Sequence, residues 1–442
     1  MPDKQQTLLS TTEPERNHDR PYDNKLYRNY VLLLLTITYA FNFIDRQIMV
    51  ILQESIKQDL GLSDSQLGLL TGIAFAAFYV IMGIPVARLA DRWVRRSIMS
   101  IATGTWSLMT VLCGMAQNFP QLLLARIGVG VGESGCSPPA HSIISDIYPA
   151  EKRATALSIY SVGLNIGILF GFLLGGWINE YYGWRMAFII VGVPGILIAL
   201  LLQFTIREPV RGATDAIKSS GEMPSFMASM KMMMGKKAFR HVAIGASCFT
   251  LIGYGGAIWF APYMLRNFEI QTGELGTWLA LGSGILGGLG TLVGGYLADK
   301  KGRHDRRWYT WIPTAAVIIT LPFLYLTYTL DSMYLVLSLF MVPAMMATVF
   351  MGPSIAMVQG MVEARMRALA SAVLFFTTNI IGLGLGPFLI GIGSDMLSDD
   401  FGTRSVGYSV LIVSFVAAAV GIWQFTRASR HINEDMQAAH TS

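Results

Sequence analysis

Runs of about 20 apolar residues recur along the whole chain, each closed by a short cluster of charged residues, Gly, Pro or Asn. At 1.5 Å per helical residue, a run of about 20 covers the roughly 30 Å of hydrocarbon in a bilayer. Twelve such runs are predicted, near 30–52, 67–87, 97–116, 120–147, 154–178, 186–206, 240–265, 275–298, 308–328, 333–360, 367–394 and 406–426. Lipid offers no partner to a free backbone group, and a run this long satisfies its own only as a helix. The alternating ten-residue pattern of a membrane β-barrel is absent. Segment 1–29 is polar and rich in Asn, Asp and Arg, which predicts a disordered tail and not a signal peptide. The expected fold class is an all-α membrane protein with twelve transmembrane helices.

Composition agrees: 53% of the 442 residues are hydrophobic and 14% charged, against roughly 25% charged in soluble domains. Of the 33 Lys and Arg, 27 fall in alternate loops beginning with the N-terminal tail, 4 in the other loops, and Arg46 and Arg126 within spans. Basic loops stay cytoplasmic, so both termini are expected inside, in a plasma (bacterial inner) membrane. The net charge of +5 is thus a belt at one membrane face, which excludes nucleic acid as a partner. Cys113, Cys136 and Cys248 lie within apolar runs without metal-type spacing, so neither a disulfide framework nor a metal site is expected.

The chain repeats itself. Gln66-Leu67-Gly68 and Glu274-Leu275-Gly276 open the second and eighth spans at an offset of 208, and Ala87-x-x-x-Asp91-Arg92 and Gly295-x-x-x-Asp299-Lys300 close them. Gly167-x-x-x-Gly171 returns as Gly382-x-x-x-Gly386 at an offset of 215. Two pseudo-symmetric six-helix bundles follow, 30–206 and 240–427, joined by a basic cytoplasmic linker at 207–239 and flanked by cytoplasmic tails at 1–29 and 428–442. Repeats with a site between them are how many secondary transporters are built, one half rocking against the other.

Four charges break the apolar spans of the first half: Asp45, Arg46, Arg126 and Glu133. A charge near mid-bilayer costs roughly 2.5–3.5 kcal/mol on insertion scales, so it is kept where it faces protein or water and does something. Counting along the helices puts Asp45 and Arg126 at one level, roughly 10 Å from the outer face, and Glu133 roughly 10 Å deeper. Asp45 is expected to pair with Arg126, with Arg46 nearby and Glu133 alone. Asp45 and Glu133 are the candidate proton carriers, and Arg46 and Arg126 their charge partners and the candidate binders of an anionic head group. A static brace between the first and fourth spans is the alternative. The second half offers no comparable charge within its spans. Its candidate cavity-lining residues are Tyr254, Trp259, Thr377, Thr378 and Asn379, with methionines at 341, 345, 346, 351 and 357 suited to irregular apolar ligands.

Arg88-Leu-Ala-Asp91-Arg92-x-x-Arg95-Arg96 and Gly295-x-x-x-Asp299-Lys300-x-Gly302-Arg303 resemble the two copies of the loop motif of the major facilitator superfamily. Asn42-Phe-Ile-Asp45-Arg46, Arg126-x-x-x-Gly130-x-Gly132-Glu133 and Ser137-Pro138-Pro139 resemble its spinster-like branch, whose animal members export lysolipids and sphingosine phosphates. The sequence departs from the family pattern at Ala87 and Val94, where Gly is favoured. It departs again at Phe172, where the glycine-rich antiporter pattern of the fifth span has Pro. The resemblance implies alternating access through a central cavity.

Residues Asp91, Arg92, Arg95, Arg96, Asp299, Lys300 and Arg303 sit at cytoplasmic helix ends. The acids are placed to cap a neighbouring helix N-terminus, and the bases to hold the inner side shut. Gly128-x-Gly130-x-Gly132 lacks a preceding strand and no phosphate-binding Gly-Lys-Ser/Thr loop exists, so no ATP use and no cofactor are expected. No nucleophile–base pair suggests an enzyme. The expected function is a monomeric, proton-coupled secondary transporter of a lipid-like molecule with an anionic or zwitterionic head, in contact with membrane lipids. Proton symport of a small organic acid is the alternative. A membrane sensor or scaffold that does not transport is the reading from another class.

Overall fold

The computed structural model describes residues 21–211, 226–363 and 366–441. Residues 1–20 of the tail expected over 1–29, and 212–225 of the linker expected over 207–239, lie outside them. Among the described residues nine helices are long and apolar enough to cross a bilayer; two of them are double, and a further pair of shorter helices, Phe119–Glu133 and Ser137–Ile147, makes the twelfth crossing. The 56-residue helix Ala150–Thr205 is two spans, broken where Gly183 takes φ 80°, a backbone that side chains disfavour. The last 64-residue run turns back at Gly402, and Phe119–Glu133 continues after a turn as Ser137–Ile147.

We number the crossings α1 (Lys25–Leu60), α2 (Asp64–Arg92), α3 (Arg95–Met115), α4 (119–147), α5 (150–182), α6 (184–205), α7 (Lys237–Asn267), α8 (Thr272–Gly302), α9 (Trp308–Thr329), α10 (Met333–Gly360), α11 (367–401) and α12 (Ser405–Thr441). The ends carry their own signals. Asn24 accepts hydrogen bonds from the Leu26 and Tyr27 amides and starts α1, while Gly61 ends it in the left-handed conformation. Helix extends further than the apolar runs suggest: α1 begins at Lys25, α12 continues to Thr441, and a short helix, Phe226–Gly235, precedes α7. Polar residues extend a helix beyond the hydrocarbon at no burial cost, and hydropathy does not register them.

Crossings α1–α6 form one bundle and α7–α12 the other. Within the first, the small residues of α5 lie on α1: a Cβ on Gly167 would come 2.4 Å from the carbonyl oxygen of Ala40. Between the bundles, α2 crosses α11 and α5 crosses α8. A Cβ on Gly68 would stand 2.5 Å from the Pro387 carbonyl oxygen, and one on Gly276 2.4 Å from that of Phe172. One on Gly391 would stand 2.3 Å from the Asp64 oxygen, and one on Gly176 2.4 Å from that of Thr272. These are the same two contacts repeated at the sequence offsets of 208 and 215, so the repeat is the record of two equivalent seams. Phe172 occupies its expected-Pro position without disturbing the crossing, because what meets Gly276 is a backbone oxygen.

Candidate transport site

A cavity of about 1060 Å³ lies between the bundles, walled by α1, α5, α7, α8, α9 and α10. Its lining runs from Arg46 and Arg126 to Leu157 on α5, Leu292 on α8 and Met351 on α10, towards the end that carries the basic loops; that end is called inner, and the opposite one outer. Most of the wall is apolar, with hydroxyls from residues such as Ser161, Ser283 and Thr348 and the amides of Gln47 and Asn165.

Arg46 donates from Nε to Glu133 Oε2 at 2.6 Å, and its guanidinium stands 4.7–4.8 Å from the ring centroids of Phe43, Phe75 and Tyr79. Arg126 lies over Phe75 at 5.3 Å and has no ion-pair partner among the described residues. Asp45 is 2% exposed and Glu133 1%, and neither lines the cavity. The buried Oδ1 of Asp45, Oε1 of Glu133, Nε of Arg126 and Nδ2 of Asn42 make no hydrogen bond to another group of the protein.

The expected pairing is thereby corrected. Arg46, not Arg126, neutralises a carboxylate, and Glu133 is not alone. Neighbours on a helix point about 100° apart, so when Arg46 faces α4, Asp45 faces α3, where Thr110 is its neighbour. Counting residues gives depth but not direction around the axis. Of the expected cavity-lining residues only Tyr254 lines it. Trp259 is fully buried and donates to the Pro387 carbonyl at 2.9 Å, bracing α7 on α11. Thr377, Thr378 and Asn379 hydrogen-bond carbonyls of their own helix. Among the methionines, Met346 and Met351 reach the cavity, whereas Met357 is core.

At the outer end the halves are locked. Arg266, on the last turn of α7, donates to Glu54 at 2.7 Å and to both oxygens of Asp64 at 2.7 Å. Lys57 reaches Asp64 at 2.6 Å, as does Ser394 of α11. Arg266 is a buried second-half charge missed by sequence reading, because it lies just past the apolar run of its helix. Asp395 of α11 accepts from the Asp64 and Ser65 amides at the start of α2, at 2.9 and 2.8 Å. Glu180 of α5 accepts from the Gly273 amide at the start of α8, at 2.8 Å. Each half therefore caps a helix N-terminus of the other, the acids standing 215 residues apart.

At the inner end the bonds of Arg95, Arg96 and Arg211 do not cross between the bundles. Arg95, 1% exposed, bonds Asp146, Glu208 at 2.7 Å and Ser142 at 2.6 Å, all in its own half. Glu208 also accepts from the Arg96 amide at 3.0 Å, and Arg211 donates to the carbonyls of Ala90, Asp91 and Trp93. The acid that caps a helix here is Glu208. Asp91 and Asp299 are exposed, as are Arg92, Lys300 and Arg303, and their side chains make no ion pair among the described residues. The bundles are tied to each other at the outer end, and the cavity lining extends towards the inner one.

The Major Facilitator Superfamily family description matches residues 35–387. The chain belongs to the Major Facilitator Superfamily. A crystal structure of a bacterial homologue of the human lysosomal transporter Spinster, in an inward-facing and unoccupied conformation, superposes with a TM-score of 0.85. It is 31% identical and aligns over 93% of this chain and 99% of that one. An MFS-type efflux pump of Mycolicibacterium smegmatis is 30% identical over 91% of this chain and 93% of its own length. Protein spinster homolog 1 of Xenopus tropicalis is 26% identical over 93% of this chain and 83% of its own. This chain is thus an integral membrane transporter of spinster type, and not an enzyme.

Proposed function

We propose that this transporter works by alternating access, exchanging protons for an amphipathic, lipid-like molecule with an anionic or zwitterionic head group. The observation that carries the reading is the contrast between Arg126, a cation with no ion-pair partner facing a large apolar cavity, and two buried acids behind it with unmatched oxygens. A cation there attracts a charged head, and apolar walls take a chain at up to about 0.8 kcal/mol per buried methylene. Asp45 and Glu133 are the proton carriers: a buried carboxylate oxygen without a donor is satisfied by taking up a proton. Arg46 then exchanges partners between Glu133 and the head group. In the opposite state the exposed Asp91, Arg92, Asp299, Lys300 and Arg303, with Arg95 and Arg96 fixing the loop, hold the inner end shut. The protein acts as a monomer with both termini in the cytoplasm of the cell whose plasma membrane it occupies, its bundles at 30–206 and 240–427.

The deciding experiment uses purified protein in liposomes with a pH gradient and a panel of lysolipids and organic acids. Glu133→Gln abolishes gradient-driven flux and leaves the protein folded, and Asp45→Asn impairs coupling. Wild-type proton dependence in both variants would remove the proton role. Arg126→Ala weakens a charged-head ligand by at least about tenfold more than an uncharged analogue. Affinity that is flat with acyl length would turn the assignment to the second reading, symport of a small organic acid, which the two arginines at the cavity wall would serve equally.

A further inference from the structure

The two seams between the halves are equivalent in backbone and unequal in side chains. On the outer part of the α5–α8 seam, Trp177, Glu274, Thr277, Trp278 and Leu281 enclose a recess of about 280 Å³. At the equivalent positions of the α2–α11 seam the sequence has Ile392, Gln66, Leu69, Leu70 and Ile73. Two indoles and a carboxylate are therefore not what the crossing requires.

The acid is also spared its structural duty. Gln66 closes a capping box, its Oε1 accepting from the Ser63 amide at 3.0 Å. Glu274 holds the corresponding place in α8 but makes no capping bond, while the Gly273 amide beside it is capped by Glu180 of the other half. Among the described residues Glu274 has no ion-pair or hydrogen-bond partner. Trp177 is held by its Nε1 donating to Thr277 at 3.2 Å, across the two halves, and stacks on Tyr181.

We infer that this recess binds the ammonium head of a zwitterionic phospholipid from the outer leaflet. A cation over an indole face gains from the ring quadrupole, and a carboxylate with no partner supplies the opposite charge. The lipid source follows from what adjoins the recess. Leu281 of the recess is exposed, as are Leu174 and Phe170, which follow Trp177 down one face of α5; none of them lines the central cavity, and they form an apolar track for the acyl chains. Because Trp177 belongs to one half and Glu274 to the other, the bound head ties the halves at their outer end and favours the inward-facing state. This last effect, unlike binding itself, rests on the alternating-access reading.

The test places the full-length protein in nanodiscs of phosphatidylglycerol with or without phosphatidylethanolamine. Native mass spectrometry should show phosphatidylethanolamine retained by wild type and by Glu274→Asp, and lost from Glu274→Gln and from Trp278→Leu. Spin labels across the outer ends should show phosphatidylethanolamine raising the inward-facing share of wild type about threefold, with no change in Glu274→Gln. Retention by Glu274→Gln equal to wild type overturns the site. Equal retention of soluble ethanolamine or choline, added to phosphatidylglycerol discs, overturns the lipid assignment. Specific retention without a population shift leaves the site standing and counts against alternating access through this seam.

Discussion

The outer and inner ends of this transporter use the same chemistry, acids at helix N-termini and arginines among carboxylates, with opposite connectivity. At the outer end, beside pairs within one half such as Arg185–Asp59 and Arg404–Asp331, partners come from different halves: Arg266 of α7 holds Glu54 and Asp64, Asp395 caps α2, and Glu180 caps α8. At the inner end they come from one half, with Arg95 and the Arg96 amide both on Glu208. A contact between bundles must break when they rock, whereas a contact within a bundle travels with it. The difference separates the groups that set which end is open from those that keep each bundle rigid.

The strongest way to break this contrast is to remove Arg266. Its side chain is 9% exposed and neutralises two carboxylates, so Arg266→Ala leaves the buried Glu54 without its cation and Asp64 with Lys57 alone. Losing one partner of a buried pair costs about 3 kcal/mol or more, on the order of a hundredfold in the ratio of outer-closed to outer-open molecules. Cysteines across the outer ends of α1 and α7, in a background without Cys113, Cys136 and Cys248, should cross-link far more slowly. Unchanged cross-linking would mean that helix crossings alone hold the outer end.

How much of this was legible in the sequence depends on what lipid penalises. The helices, their number, the four mid-span charges and the repeat were all readable, because each departs from an apolar background. Partner identity was not. Asp45 and Arg46 are adjacent in sequence, yet one faces α3 and the other α4, and only packing decides which is which. The outer caps were missed for a different reason: Glu180 and Asp395 sit at helix ends, where acids are commonplace. The offset of 215 links them, and applying it to charges as well as to glycines would have found both. Trp259 was misplaced because an aromatic stripe reads alike whether it faces a cavity or a neighbouring helix.

Symmetry gives a second, smaller test. Glu180→Gln and Asp395→Asn each remove a charged cap from the start of a helix in the other half. A cap of this kind contributes about 1 kcal/mol, so each variant should lower the outer-closed ratio about fivefold. The two sit on separate seams, and the double variant should multiply the effects. Spin-label distances at the outer ends read all three. A large response to one and none to the other would show that a single seam carries the gate, and the equivalence seen in the backbone would not extend to the energetics.

The smallest expected effect is the most exacting for the comparison. Glu208→Gln keeps a hydrogen-bond acceptor near the Arg96 amide but removes the charge that faces Arg95. Arg95 retains Asp146 and Ser142, so the loss should be about 1 kcal/mol of stability, read as a lower melting temperature. Since every partner lies in the same half, the ratio of inward- to outward-facing molecules should stay within about twofold of wild type. Arg211→Ala should behave alike, because its guanidinium caps the carbonyls that end α2 without reaching the other bundle. A population shift as large as that of Glu180→Gln, at unchanged melting temperature, would place this clip in the gate and undo the division between moving contacts at one end and fixed contacts at the other.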